Sequence, residues 1–184
     1  MNKFEKISEE QWMKDYAGAD MMSAAQYAEQ KAIFDSIELP TRGSASSAGY
    51  DFCSPIEFKL EPGQSIKIAT GIKVQINEGA FLGLFPRSGL GFKYRLQLDN
   101  TVGIVDADYY NNKGNEGHIF IKITNDAVIP SLTNAEDMEV IYEKKTLRVK
   151  AGEKFAQGIF ISFQTTVDDT ADAERVGGLG STGK

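Results

Sequence analysis

Two acids close an apolar run in VGIVDADYY, residues 102–110. Asp106 and Asp108 stand two apart, so on a strand they would share a face, and neighbouring carboxylates can divide acid and base roles. A second stretch, PRSGLGFKY at 86–94, leaves the apolar run AFLGLF and presents Arg87 and Ser88 at its end. Arginine forks two phosphate oxygens, serine adds a hydroxyl, and Gly89 permits a tight turn with accessible amides. Each stretch has a plainer reading beside the chemical one, a solvated strand end and a surface charge. The last eight residues, GGLGSTGK at 177–184, approach the pattern G-x-x-x-x-G-K. A phosphate loop of that kind opens a helix and carries Ser or Thr after its Lys. Neither follows Lys184 in this sequence, so that reading is rejected. Glycines with Ser181 and Thr182, flanked by Arg175 and Lys184, instead suit an arm that folds over a bound anion and orders only then.

Composition narrows the chemistry further. The chain has 184 residues, one His and one Cys. A zinc cluster is therefore not expected, nor is an internal disulfide, and catalysis by a Ser-His-Asp or Cys-His set would need His118 as its base. What remains is carboxylates, arginines, backbone amides and Mg²⁺. A formal net charge of −6 argues against a general nucleic-acid binder. No apolar run is long enough to span a bilayer, and MNKFEKISEE lacks the apolar stretch of a secretory signal. With a single cysteine, Cys53, a reducing cytoplasm is the expected location.

The elements that must position these residues change character near residue 37. Before it, Ser8 reads as a helix cap with Gln11 three residues on, and Ile7 is placed to staple onto Trp12. Gly18 breaks the run, and SAAQYAEQKAIF, 23–34, is rich in helix formers. A helical extension of two short helices over residues 1–36 is expected, with Trp12 as its anchor. After it, YDFC, IEFKL, SIKIA, GIKVQI, AFLGLF, GHIFIKI, MEVIY and FAQGIFISF follow one another, separated by turn signals such as EPGQ, NEGA and KAGEK. Many short strands indicate an all-β barrel or sandwich. IKIATGIKVQI alternates almost strictly, so one of its faces is buried. Cys53 reads as a small core hydrophobe, and His118 as a strand-edge histidine without function. The stretch 169–184 is polar, acidic and then glycine-rich, which reads as an exposed mobile arm.

Taken in order, five stretches resemble the motifs of the trimeric deoxyuridine triphosphatase (dUTPase) family. They are AGYDF (48–52), PRSG (86–89), GIVDADY (103–109), GEKFAQ (152–157) and RVGGLGSTG (175–183). The resemblance implies an all-β, dUTPase-like jelly-roll barrel over residues 37–168, with the helical extension before it and the arm after it. It implies Mg²⁺-dependent hydrolysis of dUTP to dUMP and pyrophosphate. Asp106 would be the general base that directs water onto the α-phosphorus. Tyr109 would lie against the deoxyribose and exclude a 2′-hydroxyl. Asn100, Gly103 and Val105 would belong to the hairpin that reads uracil. Arg87, Ser88, Gly89 and Gln157 would contact phosphates, and Asp51 would approach the hydrated Mg²⁺. Arg175, Gly180, Ser181 and Thr182 would close over the triphosphate of a site shared by a homotrimer.

The chain also departs from the family pattern. Leu179 stands where an aromatic usually stacks on the base, leaving Phe92, Tyr94 or Phe155 as candidates for the missing ring. Lys154 stands where Arg is usual, which turns a forked contact into a point charge. Residues 126–146 look like an insertion, which some phage-type members carry and use to bind a repressor protein. A regulatory partner there is one expectation and a plain surface hairpin the other. Two competing activities remain open. A dCTP deaminase or bifunctional relative shares the fold, and a nucleotide-switched protein-binding regulator would keep the site as a switch.

Overall fold

The structure is a computed structural model that describes residues 1–17, 22–132 and 140–171. Its elements run β1 (Lys3–Lys6), α1 (Glu9–Ala17), α2 (Ala24–Ser36), β2 (Thr41–Arg42), β3 (Tyr50–Cys53), β4 (Phe58–Leu60), β5 (Ser65–Ala69), β6 (Ile72–Gln75) and β7 (Ala80–Pro86). There follow α3 (Ser88–Tyr94), β8 (Leu96–Leu98), β9 (Gly103–Val105), a single 3₁₀ turn (Ala107–Tyr109), β10 (Phe120–Asn125), β11 (Val128–Leu132), β12 (Val140–Lys144), β13 (Leu147–Val149) and β14 (Lys154–Ser162). The largest sheet has the order β2-β3-β14-β7-β9, and a second has the order β5-β10-β8. Every pairing among the described strands is antiparallel. The chain is thus mostly β, in open sheets that suit a jelly roll.

The long alternating segment at 66–76 behaves as its pattern demands. Ile68, Thr70, Ile72, Val74 and Ile76 all point inward. It is two strands rather than one, however. The backbone turns a corner at Gly71, whose φ of 71° suits glycine. Before the corner β5 pairs with β10, and after it β6 pairs with β1. Phe52, Leu82 and Phe155 from the larger sheet and Ile68, Leu96, Ile121 and Ile123 from the smaller one share a single core.

The N-terminal segment is not purely helical. Lys3–Lys6 forms a strand against Ile72–Gln75, and Phe4 and Ile7 enter the core. KFEK carries too little apolar alternation to announce this strand, so only its partner makes it. The Ser8 hydroxyl accepts from Gln11 N at 3.0 Å, as a cap should. Gln11 does not complete a capping box, because its side chain turns to Asp15 at 2.8 Å. Ser23 and Gln26 form the full box at the start of α2. Trp12 is completely buried, and its Nε1–H donates to the Gln30 carbonyl at 3.2 Å, which ties α1 to α2. Gly18 lies outside the described residues.

The reading of residues 126–146 as an insertion falls on a hairpin. β11 and β12 pair with each other in a separate two-stranded sheet. At its base, Asn125 Nδ2 donates to the Leu60 and Lys145 carbonyls at 2.9 and 2.8 Å.

Two carboxylates fasten the N-terminal segment. Glu116 accepts from Ser8 N at 2.9 Å and from the Ser8 hydroxyl at 2.5 Å. Asp15 accepts from Gln11 and meets His118 Nδ1 at 2.6 Å. Burial pushes both acids up, but the Ser8 bonds on Glu116 and the His118 and Gln11 bonds on Asp15 outweigh it, and both sit below their ordinary values. A depressed acid stabilises the fold fully above its unfolded pKa, and this contribution is lost as pH falls through the folded value. Trp12 is the only tryptophan, so its emission reports this docking. We expect that emission to shift to the red as pH falls below about 4, with a smaller shift in Asp15→Asn. A spectrum unchanged down to about pH 2 would contradict the linkage.

Candidate functional site

β9 and its flanking turns build one cavity. β9 lies antiparallel to β7, with Gly103 opposite Leu84 and Val105 opposite Leu82. The hairpin from β8 to β9 is strained at its tip. Thr101 has a φ of 66°, and Val102 N donates to the Asn100 carbonyl at 2.7 Å, a three-residue turn with a left-handed centre. A β-branched residue rarely adopts that φ, and such strain collects where backbone must meet a ligand. Beside the hairpin is a cavity of about 350 Å³ lined by Asn100, Gly103, Val105, Tyr109 and Phe120, among others. Its walls are largely apolar, with Lys67, Lys122 and Asp99 around them. It therefore suits a flat ring whose edges are read by backbone groups.

Asp106 follows β9 directly. The strand ends at Val105, and Asp106 caps the 3₁₀ turn, with φ −79° and ψ 159° and its carbonyl accepting from Tyr109 N at 3.1 Å. Asp106 and Asp108 therefore do not share a strand face. The turn swings Asp108 to an exposed position and leaves Asp106 half-buried beside two cavity residues, Val105 and Tyr109. The Tyr109 ring is buried and its hydroxyl donates to the His118 carbonyl at 3.0 Å. Asn115 Nδ2 holds the same hydroxyl at 2.8 Å. Tyr109 is a fixed wall of the cavity.

A second group forms where β7 ends. PRSGLGFKY proves to be a strand end followed by a short helix, α3, where a tight turn at Gly89 was expected. Arg87 is its N-cap residue, and the Arg87 carbonyl accepts from Leu90 N and Gly91 N at 3.1 and 2.9 Å. Arg87 Nε pairs with Asp51 Oδ1 at 3.2 Å, and Lys154 Nζ pairs with Asp51 Oδ2 at 2.8 Å. One carboxylate thus orients two cations, and the pair keeps a net positive charge. Arg87, Ser88, Gly89, Lys154 and Arg148 line one depression, which suits an anion. Gln157 is held by a bond from its Nε2 to the Pro86 carbonyl at 3.2 Å. Gly49 makes room for it, since a Cβ there would meet Gln157 Oε1 at 2.5 Å.

The two groups share no lining residue. Continuing the β7–β9 register sets Asp106 level with Phe81, and from there to Arg87 at ~3.3 Å per residue is about 20 Å. Within one chain the acid and the phosphate-type cations are therefore at opposite ends of β7.

No group of three or more His, Cys, Asp or Glu residues among the described residues could hold a metal ion. Asp51, expected near a metal, has its two oxygens on Arg87 and Lys154. The side chains present thus suit a hydrated cation carried by an anionic ligand, not an ion caged by the protein. Arg175, Gly180, Ser181 and Thr182 lie outside the described residues, as does Leu179. Of the ring candidates, Phe155 is sealed in the core, Tyr94 packs against that core, and Phe92 is 90% exposed on α3. Besides Tyr109 the cavity holds a second aromatic, Phe120, which sequence reasoning passed over. It starts β10, and Lys67 lies 4.8 Å from its ring centre. Its signal was the Phe120–Lys122 half of the β10 alternation, which faces away from Ile121 and Ile123.

A profile of the dUTPase family matches residues 35–129. A deoxyuridine 5′-triphosphate nucleotidohydrolase of Lactococcus lactis subsp. lactis is 38% identical over 149 residues, covering 80% of this chain and 89% of that protein. The chain belongs to the dUTPase family. The solved dUTPase of Streptococcus mutans superposes with a TM-score of 0.55 at 35% identity, over 70% of this chain and 88% of its own. The dUTPase of phage phi11 of S. aureus, whose structure displays a species-specific insert, gives 0.54 at 28% identity over 74% and 90%. A variant of that phage enzyme is described as coordinating a structural Mg(II) ion.

Gly103 couples the cavity to the sheet. A Cβ at this position would meet Leu84 Cβ and Cδ1 at 3.0 Å. In Gly103→Ala the Leu84 side chain or β9 must give way, and we expect a loss of about 1–3 kcal/mol by urea denaturation. An unchanged midpoint would show that the hairpin floats free of β7.

Proposed function

We propose that the chain hydrolyses dUTP to dUMP and pyrophosphate at a site assembled from three copies of itself. The cavity that gathers Asn100, Gly103, Val105 and Tyr109 beside Asp106 carries the reading. Uracil enters against the hairpin, where backbone groups of residues 100–105 meet its edge and thymine's methyl finds no room. Deoxyribose rests on the Tyr109 ring, which its two hydroxyl bonds hold in place. A 2′-hydroxyl would press on that ring.

Asp106 accepts a proton from water and directs its lone pair at the α-phosphorus. A bond forms from the water oxygen to phosphorus, and the bond from phosphorus to the α–β bridging oxygen breaks. Pyrophosphate leaves with that oxygen, and Asp106 returns its proton to solvent. Because Arg87 lies about 20 Å from Asp106 of the same chain, Arg87, Ser88, Gly89 and Gln157 serve the Asp106 of a neighbouring copy. They hold the phosphates and take up charge as it moves outward. Asp51 keeps Arg87 in line for this work. Mg²⁺ carried by the triphosphate would supply charge neutralisation at the leaving group, and Asp51, whose oxygens meet Arg87 and Lys154, would approach it only through water. Arg175, Gly180, Ser181 and Thr182 close the arm over the phosphates and exclude water.

The test is Asp106→Asn with pyrophosphate and ammonia both measured from dUTP and dCTP. The wild-type chain should release pyrophosphate from dUTP, and the variant should bind dUTP yet turn over several orders of magnitude more slowly. A kcat within about tenfold of wild type, roughly 1.4 kcal/mol, would remove Asp106 as the base. Ammonia from dCTP would point to deamination instead.

A further inference from the structure

The N-terminal segment reaches the sugar wall of the cavity through one buried histidine. His118, expected on a strand edge, is instead fully buried just before β10. Both its ring nitrogens are engaged. Gly71 N donates to Nε2 at 2.8 Å, so Nε2 carries no proton and Nδ1 does. Nδ1–H then donates to Asp15 Oδ2 at 2.6 Å, and Gln11 Nε2 donates to Asp15 Oδ1 at 2.8 Å. On its other side the His118 carbonyl accepts from the Tyr109 hydroxyl at 3.0 Å and from Asn115 Nδ2 at 3.3 Å. The His118 ring packs on Phe120 with centroids 4.2 Å apart. Tyr109 and Phe120 both line the cavity.

We propose that Asp15 is a positioning residue for the nucleoside cavity: it fixes His118, which in turn holds Tyr109 and Phe120 where sugar and base must fit. The proposal rests on reading that cavity as the deoxynucleoside site. Its physical basis is the cost of an unmade buried bond. Without the Asp15 carboxylate, Nδ1–H of the fully buried ring loses its protein acceptor. The ring must then rotate or change tautomer, and either movement forfeits the Gly71 bond and disturbs the stack on Phe120. The Tyr109 hydroxyl is bonded to the His118 carbonyl, so the wall that tests for a 2′-hydroxyl loosens too. Asp15 lies before residue 35, where the match to the family profile begins. The bond thus joins the N-terminal segment, outside that match, to a cavity within it.

The measurement is kcat and KM for dUTP and for UTP on the full-length chain. In Asp15→Ala the preference for dUTP, as a ratio of kcat/KM values, should fall about 3- to 30-fold. Asp15→Asn keeps an oxygen that accepts from Nδ1–H and should stay within about twofold of wild type. Lys6→Ala is the control, because Lys6 Nζ grips the Phe34 and Asp35 carbonyls at 3.0 and 3.1 Å and loosens the same segment without touching His118. Its ratio should match wild type. An unchanged ratio in folded Asp15→Ala, or an equal fall in Lys6→Ala, would overturn the proposal. Should Asp15→Ala not fold, Gln11→Ala frees the same carboxylate more gently, and a lower ratio supports the proposal while an unmoved one overturns it. A wild-type chain inert toward dUTP would sink the functional reading itself, whereas an active wild type with an unmoved ratio sinks only this role for Asp15.

Discussion

The pairing of β9 with β7 constrains everything this chain can do alone. Gly103 opposite Leu84 and Val105 opposite Leu82 leave no freedom of register, because a slip of one residue would turn buried side chains outward. Asp106 is thereby carried level with one end of β7 while Arg87 leaves the other. Under the proposed reading, the base and the phosphate cations then serve a neighbouring copy rather than each other, and that reading rests on strand spacing more than on any single contact. It also explains why each group is finished locally: Asp51 orders Arg87 and Lys154, and the network of Tyr109, Asn115 and His118 fixes the cavity wall.

The N-terminal segment completes another part of the core. β1 extends β6, Phe4 and Ile7 add to the apolar interior, and Trp12 fills the space between the two helices and the corner at Gly71. Ile7 N donates to the Gly71 carbonyl at 3.0 Å while Gly71 N donates to His118. The corner that splits the long alternating segment is therefore also the point at which extension, sheet and cavity meet. An extension that merely covered apolar surface would not need a half-buried carboxylate against a fully buried histidine, since such groups are costly unless satisfied.

Much of this was legible in the residues. β-rich or alternating runs marked β3, β5, β6, β7, β10 and β14, and in β5, β6 and β10 one buried face imposes a period of two. The motif stretches named Asn100, Gly103, Val105 and Tyr109, and the structure gathers these around one cavity. What escaped had little local signal. β1, β2, β8 and β13 are two to four residues long and exist through their partners. The helix after Arg87 contains two glycines, which local propensity counts against. Asp106 and Asp108 read as strand neighbours because nothing in VDADYY marks where the strand stops. The role of His118 depends on Asp15, 103 residues away in sequence, and no periodicity reports a contact of that range.

The central claim, that base and phosphate cations come from different copies, is tested most directly by mixing subunits. Chains carrying Asp106→Asn and chains carrying Arg87→Ala are each expected to be nearly inactive alone. Unfolded and refolded together, they form assemblies in which an intact Asp106 from one parent faces an intact Arg87 from the other. The account predicts dUTP hydrolysis well above the sum of the two parents. Activity no greater than that sum, from assemblies shown to contain both chains, would contradict it.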